Sequence, residues 1–303
     1  MPELPEVEQV RRSIAKRAVG CRVVGVTVHR RDVVTGPEDP VGGWSRAPAD
    51  RRDAPKPRVD KRLLLEGSAI EEIGRRGKQL AIFGDRAATG IHLGMTGQLL
   101  FRAPGERLRK SDHVHVTWRL GTPGGVAVGR LVFRDPRRFG SVSAHESREE
   151  LVQTRWDALG PDALTVSAPT LIERLRPRRN SSGPVRNVKS ALLDQATLAG
   201  VGNIYADESL FRAGIRPGRR VDRLTDNEIA LLACSIREVL QEAVASGGST
   251  LRDYVDGEGS SGSFQFSHRV YGRTGQMCIT CGETLVGDVV AQRTTVWCPR
   301  CQG

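Results

Sequence analysis

His113-Val114-His115-Val116-Thr117-Trp118-Arg119-Leu120 alternates polar and apolar residues without a break. Successive side chains of an extended strand point to opposite faces, so this stretch reads as a half-buried β-strand with Val114, Val116, Trp118 and Leu120 inward. A glycine-rich turn follows, and Val126–Phe133 reads as the next strand. Toward the N-terminus, Val23–Val28, Lys61–Leu65, Gln79–Phe83, Gly90–Leu93 and Gln98–Phe101 are further short β-rich runs. So many short strands separated by turn signals predict a β-sandwich or barrel-like sheet. Ahead of them, Leu4, Val7, Val10, Ile14 and Ala18 recur at the spacing of an amphipathic helix that Gly20 stops. That helix is expected to pack on the sheet. Residues 36–58 hold five prolines and almost no apolar pattern, and are expected to form a long surface loop or flexible insertion.

Beyond this β-region the character changes. Residues 146–168 are polar and punctuated by proline and glycine, as at a domain boundary, and helical patterns follow. Between 169 and 220 ten Lys/Arg stand against four acids, an excess of +6 in about a sixth of a chain whose formal charge is +11. Gly200-Val201-Gly202-Asn203 precedes a helical run from Ile204 to Arg212, an arrangement of backbone amides suited to an anion such as a DNA phosphate, though also common as a plain helix cap. Thr225-Asp226-Asn227-Glu228 is a capping box for a helix that ends at Gly247-Gly248. Residues 256–263, rich in glycine and serine, read either as a mobile loop over a substrate or as a linker. Together these patterns predict a multidomain α+β chain, with domains over 1–148, 149–262 and 263–303.

Composition narrows the function classes. No apolar run approaches the roughly 20 residues of a membrane span, and the start has no signal-peptide core, so a cytoplasmic protein is expected. A pI near 10.0 suggests a polyanionic partner. Only six of the 46 basic residues are lysine (Lys16, Lys56, Lys61, Lys78, Lys110 and Lys189), so a lysine inside a suggestive stretch stands out as a cation that can lose a proton. Cys278-x2-Cys281 and Cys298-x2-Cys301 match a four-thiolate structural zinc site. Thr284–Val286 and Thr294–Trp297 read as the arms of a hairpin turning near Gly287-Asp288, with Arg293 on the returning arm. Such a closed zinc site has no open position for catalysis.

Two turns in the β-region are unusual. His92-Leu93-Gly94-Met95-Thr96-Gly97 and Asp135-Pro136-Arg137-Arg138-Phe139-Gly140 put a methionine, an arginine and a phenylalanine in glycine-flanked turns. Each fits ordinary hairpin chemistry. Together they offer wedges of the kind that enter a base stack and fill a vacated position.

The first residues, Met1-Pro2-Glu3-Leu4-Pro5-Glu6-Val7-Glu8, admit two readings. One is a helix start with proline and acids in the first turn. The other is chemical: after removal of Met1, Pro2 is a secondary amine that stays partly neutral near pH 7, can attack a sugar carbon and forms a charged iminium. Glu3 and Glu6 then lie near enough to move protons.

With these pieces in place, Met1–Glu8, His92–Gly97, Asp135–Gly140, Leu192–Glu208, Val270–Arg273 and the cysteine pairs together resemble the bacterial formamidopyrimidine-DNA glycosylases over nearly the whole chain. The resemblance implies an N-terminal β-sandwich with flanking helices, a helix–two-turn–helix domain and a C-terminal zinc-finger β-hairpin. It implies a monomeric repair enzyme that excises oxidised purines from duplex DNA and then nicks the strand, with one structural zinc. It makes Pro2 the nucleophile, Glu3 the general acid on the sugar and Glu6 its support. Lys78 becomes a phosphate and proton-transfer residue of β-elimination, and Arg293 that of δ-elimination. Met95, Arg137 and Phe139 become gap-filling wedges, with His92, Lys189 and Asn203 as backbone phosphate contacts and His113 and Arg186 on the same DNA-binding surface. Ser111 and Ser263 depart from the family pattern. Other readings are an endonuclease VIII-type enzyme for oxidised pyrimidines and a non-catalytic zinc-finger DNA-binding protein.

Overall fold

The computed structural model describes residues 1–39, 41, 58–176, 185–251 and 254–303. Most of the proline-rich stretch expected as an insertion lies outside the described residues. The chain forms two compact units, one of Met1–Pro2, Glu6–Ala158 and Gly247–Gly262, the other of Glu3–Pro5, Leu159–Ser246 and Ser263–Gly303.

Among the described residues the first unit holds most of helix α1 (Leu4–Ala18), nine strands and the short helix α2 (Arg148–Leu151). In chain order the strands are β1 (Arg22–Val28), β2 (Val34–Thr35), β3 (Ile70–Arg76), β4 (Gln79–Gly84), β5 (Ala88–His92), β6 (Gln98–Arg102), β7 (Val114–Gly121), β8 (Ala127–Arg134) and β9 (Ser141–His145). They make a four-stranded sheet in the order β1-β7-β8-β6 and a five-stranded sheet in the order β2-β9-β5-β4-β3. All pairings are antiparallel except β2 with β9. Val116, Trp118 and Leu120 of β7 are buried with Leu131 and Phe133 of β8, Ile82 and Ile91 of the other sheet, and Val7, Val10 and Ile14 of α1, whereas Val114 is only half-buried and the alternating His115 and Thr117 are buried as well, so β7 is covered on both faces there. Two sheets and a helix thus close on one apolar core, as the sandwich reading expected.

Lys61–Leu65 is a correction. Residues 61–67 form consecutive turns, not a strand. Leu64 and Leu65 are apolar because they plug the core, and the Leu64 carbonyl accepts the Trp118 Nε1–H at 2.9 Å.

The second unit contains α3 (Ala168–Leu175), α4 (Val188–Leu193), α5 (Asn203–Arg212), α6 (Asp226–Ala245) and the hairpin β10 (Val286–Val290)–β11 (Arg293–Trp297). Both halves of the capping box at Thr225 and Glu228 form, and Gly247 and Gly248 follow α6 with φ of 78° and 83°, left-handed values that glycine accepts freely. The hairpin turn lies elsewhere than expected. Gly287 and Asp288 are inside β10, and the two-residue turn is Ala291-Gln292, closing on the pair Val290 and Arg293. Arg293 is on the returning arm.

Candidate active site

In the β unit the start of α1 is tied through Glu6 to residues 248–254. Pro2 is buried, and Met1 is 57% exposed. The buried Glu6 carboxylate accepts the Ser249 N–H at 2.8 Å, and a Cβ on Gly248 would come within 2.9 Å of that carboxylate. The Tyr254 hydroxyl donates toward the Glu6 and Gly247 carbonyls at 3.3 and 3.2 Å. Burial, with the Glu6 charge beside it, pushes the Tyr254 hydroxyl up so that it keeps its proton. The glycine–serine stretch after it is anchored on the same helix. Ser13 Oγ accepts the Gly257 N–H at 2.9 Å, the Gly257 carbonyl accepts the Phe101 N–H at 2.7 Å, and Arg17 pairs with Glu258 at 2.8 Å. A segment that reads as loop or linker therefore braces α1.

Lys78 follows Gly77 in the two-residue turn between β3 and β4. Gly77 has φ 54°, which the first central position of a type II′ turn requires. Its carbonyl accepts from Arg75 Nη1 at 3.0 Å, while Arg75 Nε donates to Glu8 of α1 at 3.0 Å. Burial raises the Glu8 carboxyl, but the Arg11, Arg12 and Arg75 guanidiniums outweigh it and hold Glu8 down at about 2. Sequence reasoning passed over Glu8 and Arg75, whose pairing spans 67 residues.

The sheet register gathers the remaining β-unit candidates at one end. His92 closes β5 opposite Gln79, which follows Lys78, and opposite Ser141, which follows Phe139-Gly140. Met95 is 41% exposed. Arg137 is exposed with its guanidinium 4.7 Å from the Phe139 ring centroid, a cation–π contact. One residue that sequence reasoning missed joins these turns. Asp135 is fully buried; its carboxylate accepts Thr96 Oγ1–H from the Met95 turn, the Arg137 N–H at 3.2 Å and the Gly140 N–H at 2.7 Å. A Cβ on Gly94 would come within 2.4 Å of the Phe139 backbone, so glycine there lets the two turns touch. The available signal was an aspartate two residues before the amide it caps.

In the helical unit Glu3 fills the glycine-rich helix start, which the sequence left open between an anion site and a plain helix cap. Its carboxylate, 4% exposed, accepts Gly202 N–H at 2.7 Å, Ile204 N–H at 3.0 Å and Tyr205 N–H at 3.4 Å. A Cβ at Gly202 would lie 2.3 Å from the Glu3 carboxyl carbon. The first amides of α5 are thus spent on the protein's own acid, which the helix dipole favours there.

Lys189 is a second correction. Expected as a phosphate contact, its side chain is wholly buried, with Nζ 2.6 Å from Asp207, 2.7 Å from Thr295 Oγ1 and 3.3 Å from the Thr294 carbonyl. A buried ammonium of this kind cannot reach a DNA backbone. Burial pushes the Lys189 ammonium down and the Asp207 carboxyl up, each opposed by the other's charge. Asn203 Nδ2 donates to the same Thr294 carbonyl at 2.9 Å, and Asp207 also accepts the Val296 N–H at 3.1 Å. Lys189, Asn203 and Asp207 therefore hold β11, the strand that opens with the exposed Arg293.

The four cysteine sulfurs all lie within 4.8 Å of one another, Cys278 4.0 Å from Cys301 and Cys281 3.5 Å from Cys298. A tetrahedron with Zn–S of about 2.3 Å needs sulfurs about 3.8 Å apart, so the site fits one structural zinc, and Cys278, Cys281, Cys298 and Cys301 hold it. Gln302 ties this knuckle to the helices, accepting from Cys298 N–H at 2.9 Å and donating to the Ile215 carbonyl at 2.8 Å. Of the remaining candidates, Arg186 donates to Asp194 at 2.7 Å and Thr197 at 3.1 Å, and His113 is exposed with φ 51°. Among the described residues no helix is long and apolar enough to cross a membrane.

Family models match the chain along most of its length: the formamidopyrimidine-DNA glycosylase N-terminal domain over residues 1–142, the H2TH domain of the same enzymes over 159–255, and the zinc finger found in FPG and IleRS over 275–303. The chain is 38% identical over 308 residues to the formamidopyrimidine-DNA glycosylase of Neisseria meningitidis and 40% identical over 305 residues to that of Thioalkalivibrio sulfidiphilus, in each case over the full length of both. Among solved structures it is similar to the MutM (Fpg) protein from Thermus thermophilus, with TM-score 0.76, 35% identity and coverage of 100% of this chain and 99% of that one. It is also similar to the Lactococcus lactis Fpg in complex with DNA containing an abasic site, with TM-score 0.77, 32% identity and 99% of both chains covered.

Proposed function

The chain belongs to the formamidopyrimidine-DNA glycosylase family, and from that premise we propose that it is a bifunctional base-excision-repair enzyme that removes oxidised purines, 8-oxoguanine and formamidopyrimidines, from duplex DNA through Pro2. Once Met1 is gone, the Pro2 nitrogen forms a bond to the sugar C1′, and the bond from C1′ to the damaged base breaks. The electron pair leaves with the base, which takes up a proton. Glu3 is the acid at the sugar. After the Pro2 nitrogen loses its proton, the C1′–O4′ bond opens with O4′ taking a proton from Glu3, and the nitrogen lone pair forms the C1′=N iminium, which then draws electrons from the C2′–H bond. Loss of that proton expels the 3′ phosphate in β-elimination, with Lys78 as proton carrier, and Arg293 assists the second elimination at the 5′ side. Glu6 holds the base of α1. Met95, Arg137 and Phe139 fill the position left by the flipped nucleotide. His92, His113, Arg186 and Asn203 belong to the DNA-binding surface, while Lys189 serves it by holding β11. The protein acts as a monomer in the cytoplasm, on the nucleoid when bound to DNA.

The observation that carries this reading is Glu3, the residue that follows Pro2 in the chain, whose buried carboxylate accepts the N–H groups of Gly202, Ile204 and Tyr205 at the start of α5. A DNA-binding protein without chemistry has no need of the combination of Pro2, Glu3, Lys78 and Arg293. The test is borohydride trapping with an 8-oxoguanine duplex, the N-terminal mass being read on the same sample. A covalent complex that Pro2→Gly abolishes is expected. No trapping by protein that begins at Pro2 overturns the mechanism, and preferential trapping with an oxidised-pyrimidine duplex moves the chain to the endonuclease VIII type.

A further inference from the structure

Residues 256–263, open in the sequence between a mobile loop and a linker, are the far part of a loop over 247–262 whose ends touch. A Cβ on Gly247 would lie 3.3 Å from the Gly262 Cα, and a Cβ on Gly262 only 2.1 Å from the Gly248 carbonyl oxygen. The Gly262 N–H donates to Thr250 Oγ1 at 2.8 Å, which closes the neck. At the far end the Asp256 carboxylate accepts the Glu258 and Ser260 N–H groups, each at 2.9 Å, and the Asp256 N–H donates to the Ser260 carbonyl at 2.9 Å. Bonds of such short range let a loop hold its own shape.

The loop lies along α1. Glu6 accepts the Ser249 N–H, Ser13 accepts the Gly257 N–H and Arg17 pairs with Glu258. Positions 6, 13 and 17 fall within about 20° of one line on an α-helix and span about 16 Å of its length. The fit is close, because a Cβ on Gly248 would come within 2.9 Å of the Glu6 carboxylate and one on Gly257 within 2.7 Å of Ile14 and the Ser13 hydroxyl. Ser13 is the central pin. Its side chain is buried, its own O–H donates to the Gln9 carbonyl at 2.9 Å, and a lone pair is thereby left for the Gly257 N–H. The Arg17–Glu258 pair is exposed and adds little. On its other side Gly257 offers its carbonyl to the Phe101 N–H of β6, an edge strand of its sheet, so one glycine ties the helix to the sheet edge. We propose that Ser13 is a positioning residue for the Pro2 reaction: by pinning Gly257 it locks α1 in register with the docked loop and β6, so that the helix behind the nucleophile is set before DNA arrives. The proposal rests on the glycosylase reading and adds to it a residue eleven positions from the nucleophile.

Two variants undo the pin from opposite sides. Ser13→Ala leaves the buried Gly257 N–H without its acceptor, and Gly257→Ala pushes the loop off by its clash with Ile14 while the helix stays intact, which keeps the test open should the first variant fail to fold. Single-turnover borohydride trapping on a duplex with a preformed abasic site, at saturating DNA and well below the melting temperature, reads the nucleophile. Both variants should form the covalent complex roughly tenfold more slowly than the parent with unchanged duplex affinity, because a misplaced reacting group loses rate and not binding. Ser13→Thr, which keeps the hydroxyl, should recover most of the rate. Unchanged rates in both variants overturn the proposal. So does a loss confined to affinity, or one seen only with an 8-oxoguanine duplex, because the loop would then serve the base and not the helix. Hydrogen exchange reads the docking without any reaction: the Gly257 amide should exchange slowly in the parent and fast in Ser13→Ala, and a fast amide in the parent overturns the proposal. A parent with the slow amide but no trapping fails on the glycosylase reading instead, so the two failures are distinguishable.

Discussion

Two hairpins carry the cations proposed for the elimination steps, and they are built on opposite principles. The β3–β4 hairpin obeys local rules: Gly77 takes the positive φ, Lys78 follows it, and the Arg75–Glu8 pair on α1 braces the turn. The β10–β11 hairpin breaks them. Its two-residue turn is Ala291-Gln292 with φ of 52° and 57°, where the mirror-image turn favours Asn-Gly, at a cost of about 1 kcal/mol or more for each residue. Arg293 is held in place from behind, by zinc at one end and by Lys189, Asn203 and Asp207 along the strand. The first hairpin takes its turn from its own residues and a single brace from Glu8 of α1, while the second takes a turn its residues disfavour and depends on distant partners along its length.

The comparison can be broken most severely at the metal. Cys298→Ser should cost most of the bound zinc and, with it, DNA affinity and the second elimination, while the β unit keeps its fold. Metal analysis with fluorescence anisotropy on the same sample checks this, and full DNA affinity in verified zinc-free protein would show that the finger does not depend on its metal.

Next in size is the buried pair. Lys189→Met leaves Asp207 buried without its partner and should destabilise the protein by about 3–5 kcal/mol in urea unfolding, with Lys189→Met/Asp207→Leu costing less than the sum of the singles. A phosphate contact would behave otherwise, with unchanged stability and a smaller salt slope.

Acid sharpens the other hairpin. Glu8 sits at about 2 in the folded protein against 4.5 for an unperturbed glutamate, so the unfolded chain binds more protons in between. Its contribution is complete above about 4.5 and drains away as pH falls toward 2. Unfolding free energies measured across this window should show a loss that Glu8→Gln flattens, and an equal loss in both proteins would assign the acid sensitivity to another group. The smallest effect should come from repairing the broken rule. Ala291→Asn/Gln292→Gly is expected to raise stability by roughly 1 kcal/mol, whereas Gly77→Ala lowers it by a similar amount. Melting curves of the two variants moving in the same direction would erase the contrast.

Much of the fold was legible because it is local. Period two in β7, period 3.6 in α1, the capping box at Thr225 and the cysteine spacing each carry their own physical signature. The misreadings share one cause. Lys61–Leu65 has strand composition but is buried as turns, and Gly287-Asp288 has turn composition but lies in a strand, because tertiary packing overrode local preference. The two glycine-flanked turns that carry Met95, Arg137 and Phe139 were visible as turns in the sequence. The buried Asp135 that joins them draws on Thr96, 39 residues away in the chain.

The sequence by itself determined the chemistry available: a proline behind the initiator methionine, acids next to it, a few isolated lysines and four thiols at metal spacing. It also determined the elements that bear them, since capping and periodicity act over a few residues. Only the tertiary structure decided which partners those groups take. The amides at the start of α5, open to either an anion site or a plain cap in the sequence, are filled by Glu3, about 200 residues away, and Lys189, a phosphate contact by resemblance, is buried against Asp207 and β11. A helix N-terminus attracts any anion and a buried ammonium any carboxylate, so the choice among candidates falls to whichever group the packed chain brings within reach.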